Sequence, residues 1–144
     1  MPRDYDMDGK VDHAVFRPSN GTWYIRHSRD ASLRVQQRGV SEDIPVPSGY
    51  GDFGRADVAV WRPSNGTWYI HFSHNNGFRI VQFGANGDIP QPIDFGFTTG
   101  RTDFCVFRPS NGLWYIRDIL TGEGWSIPFG LNGDIPVAMG PPIQ

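Results

Sequence analysis

Apolar residues in this chain come in short runs of four or five separated by turn-forming residues, with no window of sustained helical period. Val58, Ala59, Val60 and Trp61 are apolar at four successive positions, so a strand there presents apolar side chains to both faces and needs cover on both. The pattern predicts four short strands per unit. In the clearest copy they are Asp43 to Gly49, whose prolines limit ladder pairing, Ala56 to Arg62, Thr67 to Ser73, and Phe78 to Phe83. The Pro-Ser-Asn-Gly after Arg62 predicts a hairpin, and Asn76-Gly77 predicts the next turn.

The unit recurs. Arg17 to Ile25 is repeated without change at Arg62 to Ile70, and again at Arg108 to Ile116 with Leu113 in place of threonine. Asp-Ile-Pro returns at Asp43, Asp88 and Asp134, and an aspartate before an apolar strand at Asp12, Asp57 and Asp103. From that aspartate to Asp-Ile-Pro is 31 residues in every copy, which places the one extra residue of the third copy near Phe97 to Thr99. Four strands at this period predict an all-β chain of three four-stranded antiparallel propeller blades. They span about residues 4–42, 43–87 and 88–133. Three blades are half of a six-bladed ring.

The first blade starts at its acidic loop and lacks most of its innermost strand, while residues 134–144 carry an unpartnered copy of that strand in Ile135 to Met139. Placing this segment in the first blade of a neighbouring chain predicts self-association, with a homodimer closing the ring. Phe16, Trp61 and Phe107 superimpose, as do Trp23, Trp68 and Trp114, and these rings are read as buried packing between blades.

The chain has 144 residues, room for one compact domain, and its 18 glycines and 12 prolines demand many turns. A net charge of −2 gives no basic face for nucleic acid, and no apolar run is long enough to span a bilayer. The single cysteine, Cys105, excludes an internal disulfide. Met-Pro-Arg at the start lacks the form of a signal peptide.

Asp4-Tyr-Asp-Met-Asp-Gly-Lys-Val-Asp12 followed by Ala14-Val15-Phe16-Arg17-Pro18 resembles the FG-GAP/VCBS repeats related to the integrin α-subunit propeller, and the likeness runs through all three units. It implies an acidic loop joining the innermost strand of a blade to the second. It also implies an extracellular or cell-surface setting, bacterial for this Arg-Pro-Ser-Asn-Gly variant, and a role in adhesion or recognition.

Carboxylates at loop positions 1, 3 and 5 with glycine at 6 suit a hard cation that takes six to eight oxygens. Asp4, Asp6, Asp8 and Gly9 fill those positions, the Lys10 carbonyl and Asp12 can add to them, and Ca²⁺ is the expected ion. The other loops have lost the pattern: Asp57 and Asp103 persist, but the early acids of the second copy are gone and the third keeps Asp94. An aspartate kept where the acids are lost is expected to brace the loop backbone.

Cys105 replaces Ala14 and Ala59 and reads as a small core residue, and His13 as a core or interface histidine. His71 and His74 fall on opposite faces of a strand, which is no metal site. The arginine of each Arg-Pro-Ser-Asn-Gly reads as a blade-to-blade contact. No arrangement for nucleophilic catalysis or phosphate binding is evident, so the leading expectation is a non-catalytic binding or scaffold module for a protein ligand. The alternative is a glycan-binding lectin, with Tyr24, Tyr69 and Tyr115 as the stacking rings.

Overall fold

The computed structural model describes residues 3–51, 54–96 and 100–137. It is all-β, with eleven strands in three antiparallel sheets and no α-helix among the described residues, and hence none that could cross a membrane. The first sheet holds β1 (His13–Arg17), β2 (Thr22–Arg26) and β3 (Leu33–Gln37). The second holds β4 (Ile44–Pro45), β5 (Val58–Arg62), β6 (Thr67–His71) and β7 (Phe78–Gln82). The third holds β8 (Ile89–Pro90), β9 (Phe104–Arg108), β10 (Leu113–Arg117) and β11 (Gly124–Pro128). Each is a meander in chain order.

The second to fourth strands of the unit are a residue or two shorter than the sequence pattern predicts, and the first, expected over Asp43 to Gly49, pairs only at Ile44–Pro45, because the flanking residues turn into loops. The repeated Pro-Ser-Asn-Gly closes the β1–β2, β5–β6 and β9–β10 hairpins, and its glycine is left-handed: φ is 61° at Gly21, 61° at Gly66 and 68° at Gly112. A Cβ on Gly66 would stand 2.2 Å from the Gly84 carbonyl oxygen, so the site excludes any larger residue by space as well as by dihedral. The loop after the outer strand packs against the hairpin there, and Phe83 donates its amide to the Gly66 carbonyl.

The sheets pack face to face in chain order. Ala14, Trp23 and Ile25 of the first sheet meet Val58 and Val60 of the second, with Tyr5 and Ala56 beside them. Ala59, Trp61, Trp68 and Ile70 on the opposite face of the second sheet meet Phe104 and Val106 of the third, with Tyr50 and Ile119. This is why β5 is apolar on both faces. Full burial of an apolar side chain of this size stabilises by about 1.5–3 kcal/mol. One backbone bond also ties each loop to the next sheet: Ala56 donates to the Asp4 carbonyl at 2.8 Å and Thr102 to the Gly49 carbonyl at 2.9 Å.

The terminal sheets depart from the sequence expectation where a neighbour is missing. Trp23 and Trp68 are buried, but Trp114, with no sheet beyond it, is only half-buried. His13, expected in a core or interface, is exposed because that face of β1 is uncovered. The extra residue assigned to Phe97–Thr99 lies outside the described residues, as do residues 138–144.

In the second and third sheets the short inner strand lies along its neighbour, with Ile44 opposite Trp61 and Pro45 opposite Val60, then Ile89 opposite Phe107 and Pro90 opposite Val106. Among the described residues the first sheet has three strands, and no fourth strand pairs with the far side of β1. Val15 is 58% exposed where Val60 is 2%. Residues 134–137 form no strand, and Ile135 and Val137 are exposed.

Candidate metal centre and the repeated polar clusters

The acidic loop is closed by an antiparallel bridge in which Asp12 donates its amide to the Arg3 carbonyl at 2.7 Å. Inside it the carboxylates hold the backbone in tight turns. Asp4 accepts the amides of Met7 at 2.6 Å and Gly9 at 2.9 Å, Asp6 accepts Asp8 at 3.2 Å, and Asp8 accepts Lys10 at 2.8 Å. Met7 and Gly9 are left-handed, at φ 68° and 84°, which bends the loop inward. One oxygen each from Asp4, Asp6 and Asp8 fall within 4.8 Å of one another. The loop thus brings together three of the five residues expected at a metal.

Asp6 Oδ2 is buried with no hydrogen-bond donor among the described residues. His27 Nδ1 lies 3.5 Å from it and the Arg29 guanidinium Nη2 3.8 Å. A buried carboxylate oxygen without a hydrogen bond costs free energy, and a metal cation there would offset it. Lys10 is exposed, with its amide committed to Asp8.

Asp12 sits beneath the loop, fully buried, and spends both oxygens on backbone: Oδ2 accepts Tyr5 at 2.9 Å and Oδ1 accepts Ser28 at 2.8 Å. The other copies repeat this brace. Asp57 accepts Tyr50 and Gly51 on one oxygen and Ser73 on the other, and Asp103 accepts Phe95 and Ile119. Each ties the loop before β1, β5 or β9 to the turn after β2, β6 or β10.

Burial pushes the carboxyls of Asp57 and Asp103 up, against the pull of their amide donors. At Asp12 burial also pushes up, but the Ser28 and Tyr5 amides and His27 outweigh it, and the group is held below the usual carboxylate range. His27 was not singled out from sequence. It stands where the other copies have Phe72 and Asp118, and that mismatch is the signal for it. With Asp6 and Asp12 it makes a second close group of potential ligands.

A second cluster recurs on the hairpins. The guanidinium carbons of Arg17, Arg62 and Arg108 each lie 4.4 Å from the ring centroid of Tyr24, Tyr69 and Tyr115. The three tyrosine hydroxyls accept from Asn20, Asn65 and Asn111 at 3.0, 3.1 and 2.9 Å. Each ring proposed to stack on sugar therefore has an arginine over one face and an engaged hydroxyl. Arg62 also grips Asp43 at 2.8 and 3.0 Å, and Arg108 grips Asp88 at 2.7 and 2.9 Å. These pairs lie within one sheet, which corrects the expectation of an arginine contact between blades.

No family model, curated protein or solved structure matches the chain.

Cys105 is fully buried, and burial followed by the Asp103 charge pushes its thiol up to about 12. A thiol so placed is a core residue. His71 is buried at the end of β6 beside Phe78, with ring centroids 5.0 Å apart, and its Nδ1 has no partner among the described residues.

Proposed function

We propose that this chain is a non-catalytic β-propeller module whose three sheets are blades, steadied in the first repeat by calcium and completed by self-association. The observation that carries the reading is the pairing deficit: among the described residues β1 has no inner strand such as β5 and β9 have, while residues 135–137 repeat that strand's sequence and pair with nothing described. An open edge next to exposed apolar residues invites strand addition. Three blades are too few to close a ring, since propellers use four to eight, so two copies head to tail give six.

The calcium reading is supported by the convergence of Asp4, Asp6 and Asp8 and by the orphaned Asp6 oxygen. Those three would supply carboxylate oxygens, the Lys10 carbonyl would add another, and Asp12, already committed to two amides, would chiefly hold the loop in shape. Bound calcium would neutralise the loop. An extracellular recognition role accords with the family resemblance and with binding carried by blade surfaces.

Light scattering on the 144-residue chain should give about twice the 16.2 kDa chain mass, and deleting residues 135–144 should abolish the assembly. A folded 16.2 kDa monomer at micromolar concentration overturns the reading.

A further inference from the structure

Resting on that self-association, we infer that Asp134 of one copy pairs with Arg17 of the next, and that this partly buried ion pair sets the direction and register of the contact. In the second and third sheets the aspartate before the inner strand holds the arginine ending the neighbouring strand, in two-point geometry: Asp43 with Arg62 and Asp88 with Arg108. Two charges of the series remain. Among the described residues no carboxylate pairs with Arg17, and no arginine pairs with Asp134.

Both halves already hold the geometry of the formed pairs. Asp134 Oδ2 accepts the Leu131 amide at 2.8 Å, as Asp43 accepts Val40 and Asp88 accepts Ala85, each also at 2.8 Å. The turn beneath is the same, with the Asp134 amide on the Leu131 carbonyl at 3.1 Å and the Asp43 amide on Val40 at 3.1 Å. Arg17 lies over Tyr24 at the same 4.4 Å as its two counterparts. Little side-chain order remains to be gained on pairing, and planar guanidinium matches carboxylate best at two points.

The internal register extends the contact. Val46 and Gln91 donate their amides to Ala59 and Cys105 at 2.8 Å. By the spacing that sets Ile44 opposite Trp61 and Pro45 opposite Val60, Ile135 falls opposite Phe16 and Pro136 opposite Val15. A slip by one residue would part the two charges and leave the partly buried carboxylate without its arginine, which penalises the wrong register.

Charge reversal tests this. Arg17→Asp puts two acids at the contact and Asp134→Arg puts two arginines there, so each variant alone should associate about 30-fold more weakly than wild type or worse. Mixed one to one, the two variants form a dimer with the native pair at one contact and the same pair with its charges exchanged at the other. The dimer mass should then return. Circular dichroism checks that each variant is folded, and Arg17→Glu with Asp134→Lys serves as a second set. A wild-type chain that stays monomeric overturns both the assembly and the pair. A wild-type assembly that the single variants leave intact, or that mixing fails to restore, overturns the pair alone.

Discussion

Asp57 Oδ1 accepts the Ser73 amide at 2.8 Å, joining the loop before β5 to the turn after β6 across 16 residues. Its other oxygen takes Tyr50 and Gly51. One side chain thus satisfies three amides that would otherwise be left without partners. Asp57→Ala should cost about 2–4 kcal/mol, the range expected when buried hydrogen bonds to a charged acceptor are lost. Urea denaturation measures it, and a loss below about 0.5 kcal/mol would mean that water replaces the carboxylate without penalty.

Gly66→Ala should be costly for a different reason. Its Cβ meets a backbone oxygen at 2.2 Å and its φ is 61°, so left-handed strain and overpacking combine to about 2–4 kcal/mol. Gly87, at φ 97° with open space around its absent Cβ, carries only the backbone component. The difference in thermal midpoint between the two variants separates the terms.

Trp68→Ala should cost about 3–5 kcal/mol, as for a large ring fully buried between two sheets. Trp114→Ala should cost clearly less in the isolated chain, because that ring is half-buried. Equal losses would indicate that the third sheet is covered in solution, and repeating the comparison above and below the association concentration identifies the cover.

Calorimetric titration should find one calcium site per chain, lost in the Asp6→Ala, Asp8→Ala double variant. Calcium at about a hundred times its dissociation constant should add about 2.7 kcal/mol to stability. Several equal sites, or none, would count against the acidic loop as the site.

His71 supplies a pH dependence. Burial, then the charges of Arg38 and Arg34, hold its imidazole below the ordinary histidine value. As pH falls below about 6.5 the unfolded chain takes up this proton before the folded one, so stability falls with acid. The urea midpoint should drop between about pH 7.5 and 5.5, and His71→Phe should remove part of that drop. A variant with the wild-type slope would assign the effect to other groups.

Much of the fold was legible because the same solution is written three times. The hairpin glycines, the doubly apolar β5 and the missing inner strand of the first sheet follow from period and spacing. So does the bracing role of Asp12, Asp57 and Asp103, since an aspartate that outlasts its acidic neighbours must serve the backbone. What escaped was anything set by a neighbour. Trp114 and Trp68 occupy equivalent strand positions, yet only Trp68 has a sheet on its far side. His13 faces solvent for the same reason. Arg62 closes on Asp43 within its own sheet, a contact that spans 19 residues and leaves no local periodicity. His27 comes under the acidic loop only through the fold of the turn after β2.

If β1 takes up residues 135–137 of another copy, as proposed, the assembly has a consequence for growth. A head-to-tail contact leaves the same pair of ends free after every addition, so only closure stops the process; if the rotation per copy failed to close, the product would be a filament. Closure consumes no further molecule whereas extension does, so dilution favours the smallest ring that the blade angle allows. The particle mass at low concentration would then report that angle, and any rise at high concentration would report how nearly closure and extension balance.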